Sequence, residues 1–391
     1  MYNDHLRKLV EERISEGRQE LSFRNREVVY NLAPGLFDLL DYEDDDTFLE
    51  PLLFNYNNLP PEYQNLEQIL YGYIPDDKKR DIVQVLTDSA GRAYLPKIGH
   101  IRTNAPNQKI KLIYNIDTSS LSKAKGSNYE LTNFTGIKRA HSFELYQDDI
   151  LSLRGYFRLD SQEDELNVAD MYSKHSDKIE KALDIIRSVY PEFYGSFSDV
   201  IKGFYMFYCK NNRSFASMQS LGISFLNVEH ENGLVFFLED VLHQSSHNMF
   251  YYTLLDEDMF AVNPNEDLVN YSDHRAAHGD IYGTFHGLFT LTNINTCLVQ
   301  CLKNNVFEGE NELETKGRIS DNMKRFKTAI DLFDIRKIFT EEGWKLYNSL
   351  RESYESLYLE NKDLINSFDT SNQPYVFSFS KFKEANPVVT Q

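Results

Sequence analysis

The sequence predicts an α+β protein, mostly helical, and three observations carry that expectation. Long stretches near both ends and through the middle repeat their apolar residues at helical spacing. The block 95–160 alternates apolar and polar residues with a period of two, as half-buried strands do. Composition is that of a globular chain, 41% hydrophobic and 26% charged, with 25 Tyr and 27 Phe available to fill cores.

Taken in order, residues 1–90 are expected to be mostly helix. Leu6, Leu9, Val10 and Ile14 share one helical face. The stretch 76–86 follows Pro75 and opens with acids, which marks a helix start. Between them lie an acidic loop at 41–46 and a turn-rich break at 55–61. Residues 109–116 alternate as a strand, and 129–134, 142–146 and 151–159 are further candidates. Joined through 104–108 and 119–127, they predict a small antiparallel sheet.

Residues 165–195 return to helix through Ile179, Leu183, Ile186 and Val189. The aromatic run 201–210 suits either strand or helix, and 214–227 suits a strand broken at Gly222. Gly233 opens a helix reaching about Leu255. A second follows Gly283 to about Asn304, and 320–366 predicts a charged helical pair before an irregular tail. The expected organisation is an N-terminal helical and β region (1–165) suited to peptide recognition, a metal-binding helical core (166–320) and a C-terminal helical region (321–391).

The formal net charge is −19. Such a field repels nucleic acid and anionic membranes, and it attracts basic peptides. The cysteines are Cys209, Cys297 and Cys301, an odd and small number that argues against a disulfide framework and for a reducing compartment. The first residues are charged throughout, unlike a signal peptide, and no uncharged apolar run of about 18 residues offers a membrane span. These features predict a cytoplasmic protein.

The chemistry centres on His243-Gln-Ser-Ser-His247. Its spacing is that of the zinc-protease motif H-E-x-x-H, with Gln244 where the catalytic glutamate stands. Glu239, His243 and His247 follow at steps of four. At ~100° per residue each step drifts by only ~40°, so the three side chains form a stripe. Val235, Phe236, Leu238, Val241, Leu242, Phe250 and Tyr251 surround the stripe, so the helix is expected to be buried. Polar groups there need partners. One solution is a metal ion. The other is a set of core histidines hydrogen-bonded to carbonyls or to Glu239.

His286, between Gly283 and Gly287 at the start of the next helix, is the candidate third histidine. His274 and His278 fall in a polar loop and suit a solvated or substrate-facing role. Three histidines with open positions suit zinc or ferrous iron. Zinc hydrolysis needs a base beside the bound water, which Gln244 cannot supply. Iron-dependent oxygenation has no such need, but it usually needs a cation to anchor its co-substrate. Arg275 is the nearest candidate for that cation and Arg213 the second.

Three blocks in order, 214–226, 238–247 and 283–286, resemble the H-E-x-x-H domain of peptide-modification proteins associated with ribosomally made peptides. The resemblance covers about residues 205–305, and some members of that family are similar to iron(II)/2-oxoglutarate-dependent peptide β-hydroxylases. It implies that His243, His247 and His286 are the metal ligands. It implies that Glu239 orients a ligand from behind, and that Arg275 lies in an arginine-bearing stretch. Gln244 departs from the family's glutamate. The implied activity is hydroxylation of a β-carbon in a precursor peptide held by strand addition or in a helix groove. A non-catalytic peptide-binding scaffold and a zinc hydrolase with a displaced base are the alternatives.

Overall fold

Helix takes 53% of the chain and strand 14% in the computed structural model, so the architecture is α+β and mostly helical. The structure describes residues 4–159, 165–255, 258–274 and 277–387. The helices are α1 (Asp4–Leu32), α2 (Pro34–Phe37), α3 (Asp45–Phe48), α4 (Leu66–Leu70), α5 (Val168–Val189), α6 (Pro191–Ser198), α7 (Leu234–Thr253), α8 (Ile281–Lys303), α9 (Gly309–Leu332), α10 (Glu341–Asn366) and α11 (Phe379–Ala385). The strands are β1 (Ile82–Leu86), β2 (Arg92–Leu95), β3 (Gly99–Thr103), β4 (Lys109–Asn115), β5 (Ser120–Lys123), β6 (Leu131–Gly136), β7 (Arg139–Ala140), β8 (Phe143–Leu145), β9 (Gly203–Phe207) and β10 (Ile223–Asn227). Two units share these elements. One contains Met1–Ile14, Lys178–Asp199 and Glu231–Gln391, the other Ser15–Asp177 and Val200–His230.

The strand-bearing unit holds three sheets. β1-β4-β5 and β2-β3-β6 are antiparallel. In β10-β9-β8-β7, β9 runs parallel to both β10 and β8, and β7 is antiparallel to β8. β9 and β10 are apolar on both faces and almost wholly buried, as strands covered on both sides must be. Gly203 lets β9 approach β8: a Cβ there would lie 2.6 Å from the Glu144 carbonyl oxygen. Phe157 packs edge-on against Phe207, Phe215 and Phe225, and Phe215 stacks on Phe225 at 4.4 Å. Asp88, Asp148 and Asp149 are buried here, and Arg92, Arg102 and Arg154 neutralise them.

Some sequence expectations need correction. The predicted helix over 76–86 is a turn followed by β1, in which Val83 and Val85 are buried opposite Leu112 and Ile110. Alternating β-branched residues paired with β4 outweigh the acidic entry signal. The predicted strand over 151–159 is instead a 3-10 turn at Leu151–Tyr156. The run 201–210 resolves as strand β9, and the tail carries α11, held by Phe382 against Gly317.

In the helical unit, α7 packs on α8, α8 on α9, and α9 on α10. Phe250 stacks on Phe289 at 4.6 Å, and the Asn293 side-chain amide donates to Ser246 at 3.0 Å, so α7 and α8 are joined by both apolar and polar contacts. Among the described residues no helix is long and apolar enough to cross a membrane.

Candidate metal centre

α7 and α8 bring His243, His247 and His286 together. His243 Nε2 lies 3.1 Å from His247 Nε2, and His247 Nδ1 lies 3.3 Å from His286 Nδ1. The helix repeat sets the first contact, since residues four apart face the same way. The crossing of α7 and α8 sets the second. Gly283 sits in the first turn of α8, where its N–H bonds the capping Asp280 carboxylate at 2.6 Å, so the histidine one turn later is fixed in direction.

His286 is buried among rings. Tyr282, Tyr251 and Phe250 have centroids 4.7, 4.9 and 5.0 Å from its own. Burial lowers its pKa to about 3. Burial also lowers the pKa of His243, against the opposing charge of Glu239. His247 is held well below the usual histidine range by burial and by both neighbouring imidazoles. All three rings are therefore neutral, the form that binds metal.

A neutral imidazole has one N–H and one lone pair. His247 uses both nitrogens on its neighbours, so it donates in one contact and accepts in the other. His286 Nε2 is then left buried with no hydrogen-bond partner. Such an atom costs about 1–3 kcal/mol. Two nitrogens on one tetrahedral ion at 2.0–2.1 Å would lie about 3.3 Å apart, close to both observed separations. The rings form a chain, however, and among the described residues no three His, Cys, Asp or Glu side chains are grouped to hold one ion. A single ion would take one nitrogen of His247 and break one of its two contacts.

Glu239 is part of a buried charge cluster. Its carboxylate accepts from Arg318 at 2.9 Å and from Asn322 at 3.3 Å, both on α9. Arg318 also makes two bonds to Glu314, at 2.9 and 2.7 Å. Gln244 is buried and turns away from the stripe: its amide donates to Asp240 at 3.1 Å, and its Oε1 has no partner. Arg213 is exposed between β9 and β10, in the strand-bearing unit. Arg275 lies outside the described residues. His274 is half-buried and His278 exposed in the loop before α8.

Sequence reasoning missed Arg318 and Asn322, and it placed Tyr251 beside the stripe without joining it or Tyr282 to His286. The signal for Arg318 was Glu239 itself, a charge on a helix apolar on most sides, which demands a cation. Nothing in the sequence says which of the 41 Lys and Arg residues answers it. No family model and no curated protein matches the chain.

Proposed function

We propose that the chain is an iron(II)/2-oxoglutarate-dependent oxygenase that hydroxylates the β-carbon of a residue in a ribosomally made precursor peptide. The observation that carries this reading is the approach of three neutral histidines from two helices, with His286 Nε2 buried and unpartnered. The donor set fits a divalent ion of intermediate softness, ferrous iron or zinc. His243, His247 and His286 would hold it once one of the two ring contacts of His247 opens. Ferrous iron, when bound, supplies the means to activate dioxygen with 2-oxoglutarate as the reductant.

The chain's own residues do the rest. Burial keeps the histidines unprotonated and ready to bind. Arg318 and Asn322 hold Glu239 on the His243 side of α7, where its charge favours an oriented imidazole. Tyr251, Tyr282 and Phe250 wall His286 with rings and keep bulk water from it. Gln244, spent on Asp240, supplies no base for hydrolysis.

The test is anaerobic loading of metal-free protein with Fe(II), then succinate release from 2-oxoglutarate on exposure to oxygen. Co-expression with a precursor peptide, taken from any small reading frame found beside its gene, should add the mass of one oxygen atom to that peptide. Protein that retains no iron would favour the scaffold reading, which the buried, base-less Gln244 supports. Oxygen-independent cleavage of the peptide would favour a zinc hydrolase.

A further inference from the structure

The strand-bearing unit carries an open groove of about 460 Å³ between the C-terminal end of α1, α2 and the α4 region, lined by apolar residues together with Gln64, Asn65, Glu67 and Arg80. Its floor is Tyr56, Leu66, Tyr71 and Ile74, all buried. Its wall is Leu32, Ala33, Leu36 and Leu39, and Leu32 is 55% exposed. Tyr30, packed edge-on against Phe37 at 5.4 Å, extends the apolar surface and is 57% exposed. The polar lining is largely committed. Gln64 donates to the Leu59 carbonyl at 2.9 Å, and Asn65 caps α4.

The charge around the groove is one-sided. Residues 32–80, which supply the whole lining, contain eleven Asp or Glu against three Lys or Arg, a formal −8 of the chain's −19. Asp45, Asp46 and Asp76 of this window are ion-paired, whereas Asp38, Glu62, Glu67 and Asp77 form no ion pair among the described residues. On the described lining itself Glu67 is the one acid and Arg80 the one cation, so the acidic excess lies in the flanking segments.

The neighbouring sheet edges are closed to a strand. Leu86 N–H donates to Gln68 Oε1 at 2.7 Å, and the Gln84 carbonyl accepts from Asn65 at 3.1 Å. On the edge strand β2 the Tyr94 carbonyl accepts from Gln68 at 3.0 Å. Strand addition beside the groove would have to break these bonds, whereas a helix laid into the groove breaks none.

We propose that this groove binds a basic amphipathic peptide helix, its apolar face on Leu32, Leu36 and Leu39 and its lysines or arginines toward the acidic flanking segments. This goes beyond the oxygenase reading. Binding needs no metal, and its outcome says nothing about the histidines.

The probe is a fluorescein-labelled peptide of about 18 leucines and lysines arranged with one apolar helical face. Anisotropy with metal-free full-length protein should show saturable one-to-one binding that weakens with added salt. The Leu32→Ser/Leu36→Ser variant should weaken it roughly tenfold or more. So should Glu62→Lys/Glu67→Lys, whose exposed and half-exposed positions leave the fold intact. Leu359→Ser, which removes a still more exposed leucine on α10, should change nothing. The idea is overturned if the groove variant binds as well as the parent. It is overturned if a scrambled peptide of the same composition, or one with glutamate for lysine, binds equally. It also fails if the parent sediments as a dimer that the groove variant dissociates, since a second copy is then the occupant.

Discussion

Replacing Arg318 with methionine removes the cation from between buried Glu314 and half-buried Glu239. The guanidinium side chain is 5% exposed, and those of Glu239 and Glu314 are 15% and 10% exposed. Its three nitrogens make bonds of 2.7 to 2.9 Å to them. Methionine keeps most of the hydrocarbon between Phe236 and Phe377, so the loss is chiefly electrostatic. Breaking a buried pair in this way costs about 3–5 kcal/mol, because the carboxylates left behind have little water and only the Asn322 amide to answer Glu239. Urea unfolding at neutral pH should report a loss of that size. Arg318→Met/Glu239→Gln/Glu314→Gln should recover much of it, since no buried charge then remains. A loss under about 1 kcal/mol for the single variant would refute the reasoning, because it would mean the cluster behaves as a solvated surface pair. A triple variant no more stable than the single one would refute it as well.

Other predictions concern the remaining buried groups. Glu144, bonded to the Tyr94 hydroxyl at 2.9 Å, has its pKa raised from 4.5 to about 8 by burial and by Glu50, against the Tyr94 bond and Arg139. The native state therefore holds a proton that the unfolded chain releases. This group's stabilisation is full below pH ~4.5 and is lost as pH rises to ~8, by at most roughly 5 kcal/mol. Glu144→Gln should flatten that part of the stability–pH curve, and an unchanged slope would assign it to other groups. His286→Ala and His243→Ala should each reduce binding of Co(II), followed by its visible spectrum, by at least roughly a hundredfold. A variant that binds as the parent does removes that histidine from the site. Gln244→Glu places a carboxylate beside buried Asp240 and should destabilise by about 1–3 kcal/mol in thermal or urea unfolding. Peptidase activity gained by this variant would show a zinc site one base short of hydrolysis.

Much of this was legible in advance. The helix bearing His243 and His247 follows from its apolar periodicity and from Gly233 at its start; the next was expected after Gly283 and begins slightly earlier, at Ile281, where Asp280 caps it. The i, i+4 contact of His243 with His247 follows from helix geometry alone. The contact with His286 was legible only as a candidate, because 38 residues separate it from His247 and sequence spacing does not set a helix crossing. The misread stretch 76–86 shows why local signals mislead. Acids after a proline mark a helix start only when the residues beyond them are not claimed by a partner strand, and β4 claims Val83 and Val85.

By itself, the sequence determined the helical class, the stripe of Glu239, His243 and His247, and the burden of polar groups on an apolar helix. These depend on neighbours within a few turns, where backbone geometry is nearly fixed. The tertiary structure alone decided that Arg318 and Asn322 answer Glu239, that Gln244 is spent on Asp240, and that His286 completes a row of neutral rings. It also decided that Gln68 and Asn65 close the strand edges beside the groove. Each of those outcomes joins residues distant in sequence, or chooses between faces of a helix. Such choices are settled by packing and desolvation, which act only once the chain has folded.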